Sequence, residues 1–304
     1  MLYPLSYGGA ASNSTARPAA DRPSGVGPAY SPLMDLSHPM CQTCGVQYEP
    51  GPDPERCPIC EDDRQYVNQN GQQWTTLGEM KSKYSNSFVE VDAGITAIRS
   101  EPGFAIGQQA QLIQTAAGNL LWDCISFLDD TTVAEIRRRG GIAAIGISHP
   151  HFYSSMVEWS RALDAPIYLH ADNRPWVMRP DDTVQFWEGD AKQLLPGLTL
   201  VRCGGHFPGS SVLHWAEAAG GKGALFTGDT INVVADRRYV SFMYSYPNQI
   251  PLSAATVRRI VASVEPYAFD RIYGSWSGSI VAVDAKAAVR RSAERYIAHI
   301  EGSA

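Results

Sequence analysis

Gly141-Ile142-Ala143-Ala144-Ile145-Gly146-Ile147-Ser148-His149-Pro150-His151 is the stretch on which the fold turns. Its first part, Ile142–Ile147, is a short unbroken apolar run, the pattern of a strand buried on both faces. His149 and His151 follow at once in a loop, and the end of a buried strand is where α/β proteins present chemistry. Upstream, Thr132 and Glu135 are spaced as a capping box. Arg137, Arg138 and Arg139 sit at the negative end of the helix dipole, and Gly140-Gly141 stops the helix. Downstream, a second helix is expected beyond Ser155, with Glu158 as its capping partner. The segment reads as helix, buried strand, histidine loop, helix.

Working outward, Phe88–Val91, Ile95–Ile98, Ala110–Ile113 and Leu120–Trp122 read as strands, the last two joined by the turn pair Gly118-Asn119. Further strands are expected at Pro166–Leu169, Thr183–Trp187, Leu198–Cys203, Val212–Trp215 and Ala224–Phe226. A final helix carries Val289, Ala293, Tyr296, Ile297 and Ile300 on one face. Strands outnumber helices and come in two batches, which predicts two stacked sheets with helices outside. Two more strand ends carry ligand-type residues. His206 stands in Gly204-Gly205-His206-Phe207-Pro208-Gly209, and Asp229 in Phe226-Thr227-Gly228-Asp229-Thr230. One histidine alone is more often structural than a ligand. Four such residues at successive strand ends point to a metal, because three imidazoles plus a water make an open zinc site and a nearby carboxylate can ligate the ion or orient that water.

The order HPH, GGHFPG, TGDT, from about residue 88 to the C-terminus, resembles the metallo-β-lactamase superfamily, and Gly118–Asp123 is similar to that family's early strand pair. The resemblance implies an α/β fold, a four-layer αββα sandwich with its site at one edge of the two sheets. It also implies a metal-dependent hydrolase acting through activated water on a small-molecule ester, lactone, amide or thioester. The family's HxHxDH motif reads here His149-Pro150-His151-Phe152-Tyr153-Ser154, so Tyr153 and Ser154 replace an aspartate and a histidine. The family's late histidine falls in Tyr273-Gly274-Ser275-Trp276 and is missing. The groups of a second metal site are thus gone, and a single metal on His149, His151 and His206 is expected. Asp229 would ligate it or hold the hydroxide. Tyr153 either donates to a developing oxyanion or leaving group, or plugs the lost site. Zinc is the expected pocket ion, with iron as the alternative. In that case His149, His206 and Asp229 form a 2-His-1-carboxylate triad, as in the family's persulfide dioxygenases. A non-catalytic binding module is the third reading. The aromatic loop Phe242–Asn248 is a candidate wall for an apolar substrate, Arg237 and Arg238 are candidate anion contacts, and His170 reads as structural.

Near the start, Cys41-x2-Cys44-x12-Cys57-x2-Cys60 pairs two CxxC turns, each aiming two thiolates to one side, which closes a tetrahedral S4 site for zinc or iron. This segment resembles the rubredoxin-like knuckle of rubrerythrins, with Glu61 where a glycine often follows the last cysteine. The domain plan is a disordered Pro-rich leader over 1–38, a zinc-ribbon-like knuckle over 39–62 and a connector over 63–86. In that connector Thr76 and Glu79 are spaced as a capping box, and the hydrolase-type domain runs over 87–304. Net charge is −6 with no basic stripe, which argues against a nucleic-acid partner. No run of eighteen apolar residues exists to span a membrane, and paired CxxC motifs without a secretory h-region favour metal over disulfides and a cytoplasmic location.

Overall fold

Alternation along the strands builds the layers. The computed structural model describes residues 34–304; the expected leader lies outside the described residues as far as position 33. Seven strands form one sheet in sequence order: β1 (Ser85–Asp92), β2 (Ile95–Glu101), β3 (Ala110–Thr115), β4 (Gly118–Trp122), β5 (Ala144–Gly146), β6 (Ile167–His170) and β7 (Val184–Trp187). Pairing is antiparallel from β1 to β4 and parallel from β4 to β7. The switch comes where α1 (Asp130–Arg138) and α2 (Met156–Leu163) enter the chain, since parallel neighbours need a crossover connection. Six strands form the second sheet: β8 (Ala191–Leu195), β9 (Leu198–Arg202), β10 (Ser211–Trp215), β11 (Ala224–Phe226), β12 (Arg271–Tyr273) and β13 (Ile280–Val281). Only its β11–β12 pair is parallel.

Leu120, Trp122 and Ile113 from the first sheet meet Leu200, Leu213 and Phe226 from the second in one apolar cluster. Their sequence neighbours turn the other way. Leu112 and Leu121 face Val133, Ile136 and Val157 of α1 and α2, while Val212 and Leu225 face α3 (Ala254–Val264) and α4 (Ala285–Glu301). The result is the four-layer αββα sandwich. Each fully buried Leu, Val or Phe contributes roughly 1.5–3 kcal/mol from apolar burial, so three such cores give the domain its cohesion. Among the described residues, no helix is long and apolar enough to cross a membrane.

Some local readings change. The turn between β3 and β4 is Ala116-Ala117, and Gly118 and Asn119 belong to β4. Helix α1 is capped by Asp129, which accepts from the Thr132 amide, and not by Thr132. Ser155 precedes α2 without capping it; its hydroxyl donates to Ser126 O, and Glu158 forms a buried ion pair with Arg179 at 2.6 Å. The Thr76–Glu79 cap forms as expected. Helix α3 and strands β8, β12 and β13 had no counterpart in the sequence reading.

The knuckle is built into the main core. Its four cysteines, with Val46 and Ile59, share a cluster with Ile125, Leu128 and Val157. Ser126 Oγ donates to Gly45 O at 2.9 Å; with φ at +81° and a Cβ that would stand 2.4 Å from that oxygen, position 45 requires glycine. The ordered chain also begins before residue 39: a turn at 36–37 leads to buried His38, whose ring donates to Tyr48 O.

Two candidate metal centres

Three loops at the ends of β5, β9 and β11 deliver the histidine pocket. The first is pinned between the sheets. The Ser148 amide donates to Asp123 Oδ1 at 2.7 Å, and Ser148 O accepts from the Ser211 amide at 3.0 Å. One turn of 3-10 helix over Pro150–Phe152 then brings His149 and His151 together. Gly204 and Gly205 both hold positive φ and bend the chain into His206. Gly228, with φ at +51°, leads into Asp229; a Cβ there would stand 2.6 Å from Ser148 Oγ, so this third loop can approach the first only through glycine.

The donor atoms of His149, His151, His206 and Asp229 all lie within 4.8 Å of one another. His206 Nε2 stands 3.3 Å from His151 Nδ1, His149 Nε2 stands 3.4 Å from Asp229 Oδ2, and His206 Nε2 stands 3.8 Å from the same oxygen. Two ligands about 2.0–2.1 Å from a tetrahedral ion lie roughly 3.3–3.4 Å apart, so the spacing suits a zinc-sized cation. The far nitrogens are braced from behind. His149 Nδ1 pairs with Ser148 Oγ at 2.9 Å, and His206 Nδ1 donates to Met243 O at 3.3 Å, which makes Nε2 the lone-pair nitrogen of His206. Buried His149 Nε2 and Asp229 Oδ1 have no hydrogen-bond partner, and the four side chains are 0–5% exposed. Orphaned lone pairs packed so closely repel one another unless a cation sits between them. Burial also pushes the His206 imidazole down to about 4, with His149 beside it adding to the effect, and holds His151 well below its usual range, so both are neutral and ready to ligate.

The residues expected to replace a second metal site do not join this set. Tyr153 is buried beside Val46, Met156, Met178 and Arg179 on the knuckle side of α2, with Asn173 next to its hydroxyl. Burial raises its pKa. Ser154 Oγ is taken by Gln108 Nε2 and Cys124 O. The loop at 274–275 is held by Gln109 and Gln111, whose amides donate to Ser275 O and Gly274 O. The aromatic loop is divided: Phe242 is core, whereas Tyr246 borders the pocket and donates to Asp229 O at 3.0 Å. Arg238 pairs with Asp236, Arg237 bonds Val234 O, and His170 bonds Gly189 O and the Asp172 amide, all away from the donors.

Sequence reasoning missed Asp123 and Arg64. Asp123 is a buried carboxyl with pKa pushed up to about 8, by burial first and by Asp229 in addition, against hydrogen bonds from Ser148. Its signal was its place directly after β4. Arg64 had no sequence signal beyond lying in the polar connector.

In the second centre the Cys41 and Cys60 sulfurs are 3.5 Å apart and those of Cys44 and Cys57 are 3.7 Å apart, all buried. Four sulfurs about 2.3 Å from one tetrahedral ion lie roughly 3.8 Å apart, so this cage too fits zinc or iron. Tyr48 Oη donates to Cys57 Sγ at 3.0 Å and Gln72 Nε2 to Cys41 Sγ at 3.1 Å, the contacts expected of thiolates. Among the described residues, these two are the donor clusters of metal-binding type.

The chain is 50% identical over 261 residues to the uncharacterized protein YmaE of Bacillus subtilis strain 168, covering 85% of this chain and 95% of YmaE. The crystal structure of VMB-1 superposes with a TM-score of 0.53 at 11% identity, covering 71% of this chain and 98% of that one. The DIM-1 metallo-β-lactamase exposed to ceftazidime superposes at 0.51 with 13% identity, covering 69% and 97%. At such identities these likenesses show the fold. No family model matches the chain.

Proposed function

Because the chain belongs to the family of the Bacillus subtilis protein YmaE and carries the metallo-β-lactamase fold, we propose that it is a single-metal hydrolase of a small ester, lactone, amide or thioester. The observation that supports this is the convergence of three imidazole nitrogens and a carboxylate, with Asp229 Oδ1 left unpartnered. When bound, zinc in such a site lowers the pKa of its water toward neutrality and polarises the scissile group. The protein's own part is orientation. Ser148 Oγ and Met243 O brace the far nitrogens of His149 and His206, while Asp229 Oδ1 is free to accept a hydrogen bond from the attacking water. Half-buried Tyr246, whose ring centre lies 5.9 Å from that of His206, is an aromatic side chain that a substrate would meet beside the donors.

A second reading has one observation in its favour. Four protein donors, almost wholly covered, are also what a closed, non-catalytic metal site presents. Metal analysis of freshly purified protein, together with turnover on a panel of esters, lactones, amides and thioesters, decides between them. Zinc with hydrolysis supports the proposal, and zinc without turnover supports the closed site. Iron with oxygen consumption on a thiol substrate moves the assignment to the His149, His206, Asp229 triad.

A further inference from the structure

We propose that the four-cysteine knuckle is an arm of the histidine pocket: Arg64, on the loop that leaves the knuckle, positions His206 as a metal ligand, so the two metal sites are coupled. This rests on the pocket being a metal site, though not on its being a hydrolase. The short helix Pro58–Glu61 carries Cys60, and the chain runs from it straight into Asp62, Asp63, Arg64 and Gln65. Arg64 is 8% exposed, far from the usual state of a charged side chain in a polar connector. Its guanidinium lies 3.8 Å from the centre of the Phe207 ring, with the Trp176 ring at 5.1 Å, and Asp62 pairs with it at 2.5 and 2.8 Å. Its Nη1 donates to His206 O at 3.2 Å, a contact spanning 142 residues of sequence.

The same loop reaches His206 by a second route. Asn248 Nδ2 donates to both Asp63 O at 2.8 Å and Gln65 O at 3.0 Å, which staples the knuckle loop to the segment 243–248. Met243, at the start of that segment, supplies the carbonyl that fixes the His206 ring. Backbone and ring of one ligand are therefore both referred to a loop whose N-terminal anchor is a cysteine of the other metal cage. A knuckle of this length is ordered by its ion, so an empty cage frees the loop and with it both restraints on His206. Partners that orient a ligating histidine typically change metal affinity by about 10–100-fold, and coupling between two binding sites is reciprocal.

Cobalt(II) titration of the full chain against a competing chelator tests this without any substrate. Thiolate charge-transfer absorption reports the knuckle and the weaker ligand-field bands report the pocket. Arg64→Ala, with the knuckle band intact, is expected to weaken cobalt in the pocket about tenfold and to shift its ligand-field bands. Arg64→Lys should recover part of the loss through its retained charge and single donor. Cys60→Ser should weaken the pocket by a similar factor, and the double variant should be no weaker than Cys60→Ser, because the loop is already released. If Cys60→Ser does not fold, the Arg64→Ala and Arg64→Lys pair decides. A pocket affinity within twofold of wild type in Arg64→Ala, or losses that simply add in the double variant, overturns the proposal. Absence of turnover in every variant, with the affinity pattern as expected, would sink the hydrolase reading and leave the coupling standing.

Discussion

Asp123 keeps its proton near neutrality, and that gives it a pH dependence opposite to an ordinary aspartate's. Its folded pKa of about 8 lies above the ordinary 3.8, so its contribution is fully present at low pH and is lost as pH rises through 8. His206 acts in the other sense, adding stability as pH rises from about 4 to 6.5, so above that value Asp123 stands clear of it. In denaturant titrations of metal-free protein, Asp123→Asn should therefore gain stability relative to wild type between pH 6.5 and 8, the comparison cancelling the other groups that titrate there. Absence of that gain would show that the carboxyl ionises freely. If Tyr153 only fills the place of the lost second site, Tyr153→Phe should keep pocket metal and turnover, with stability within about 1 kcal/mol of wild type, since it removes one buried hydroxyl. A large fall in turnover at full metal content would assign Tyr153 the acid or oxyanion role. The four pocket donors were legible because each follows a strand end, two of them in glycine-marked turns. The direction of Tyr153 was not, because it depends on a 3-10 turn and on Ser154 with φ at +48°.

Capping boxes show how far local patterns carry at the scale of the element. The Thr76–Glu79 pair forms its N-cap, with the Glu79 amide donating to Thr76 Oγ1, while the Thr75 hydroxyl takes the Glu79 carboxylate. The Thr132–Glu135 and Ser155–Glu158 boxes do not form, since Glu135 is held by Arg138 and Arg139 and Glu158 by Arg179. Asp129→Ala should cost about 1 kcal/mol of α1 stability, read as a lowered denaturation midpoint. Arg179→Met leaves the Glu158 carboxylate buried without its counter-charge and should cost roughly 3–5 kcal/mol. Arg179 also donates to Gln47 of the knuckle, so this loss falls on the seam between knuckle and α2. The sequence reading treats the knuckle as an appendage, because spacing locates ligands but says nothing of what packs behind them. With its cysteines in the same cluster as Ile125 and Val157, Cys57→Ser should lower the thermal midpoint of the whole chain in one transition. Two separate transitions would show the knuckle melting by itself.

For the whole molecule, two sheets with helices outside followed from strands arriving in two batches. The exceptions were elements too short to show a period: β12 and β13 have three and two residues and are placed by their neighbours. Helix α3 did carry a signal, since Ser253 caps it and Val257, Ile260 and Val264 fall at helical spacing. Elemental analysis should find two metals per chain, one for each donor cluster. A third tightly held ion would mean that a pocket lacking the second-site ligands still binds a pair. The near-complete covering of both cages has a kinetic side as well. An ion held by donors this covered leaves slowly, so extraction by excess chelator should level off at a rate set by opening of the protein and stop rising with chelator concentration. Exchange of either ion would then keep the clock of the protein's own opening and not that of the solution around it.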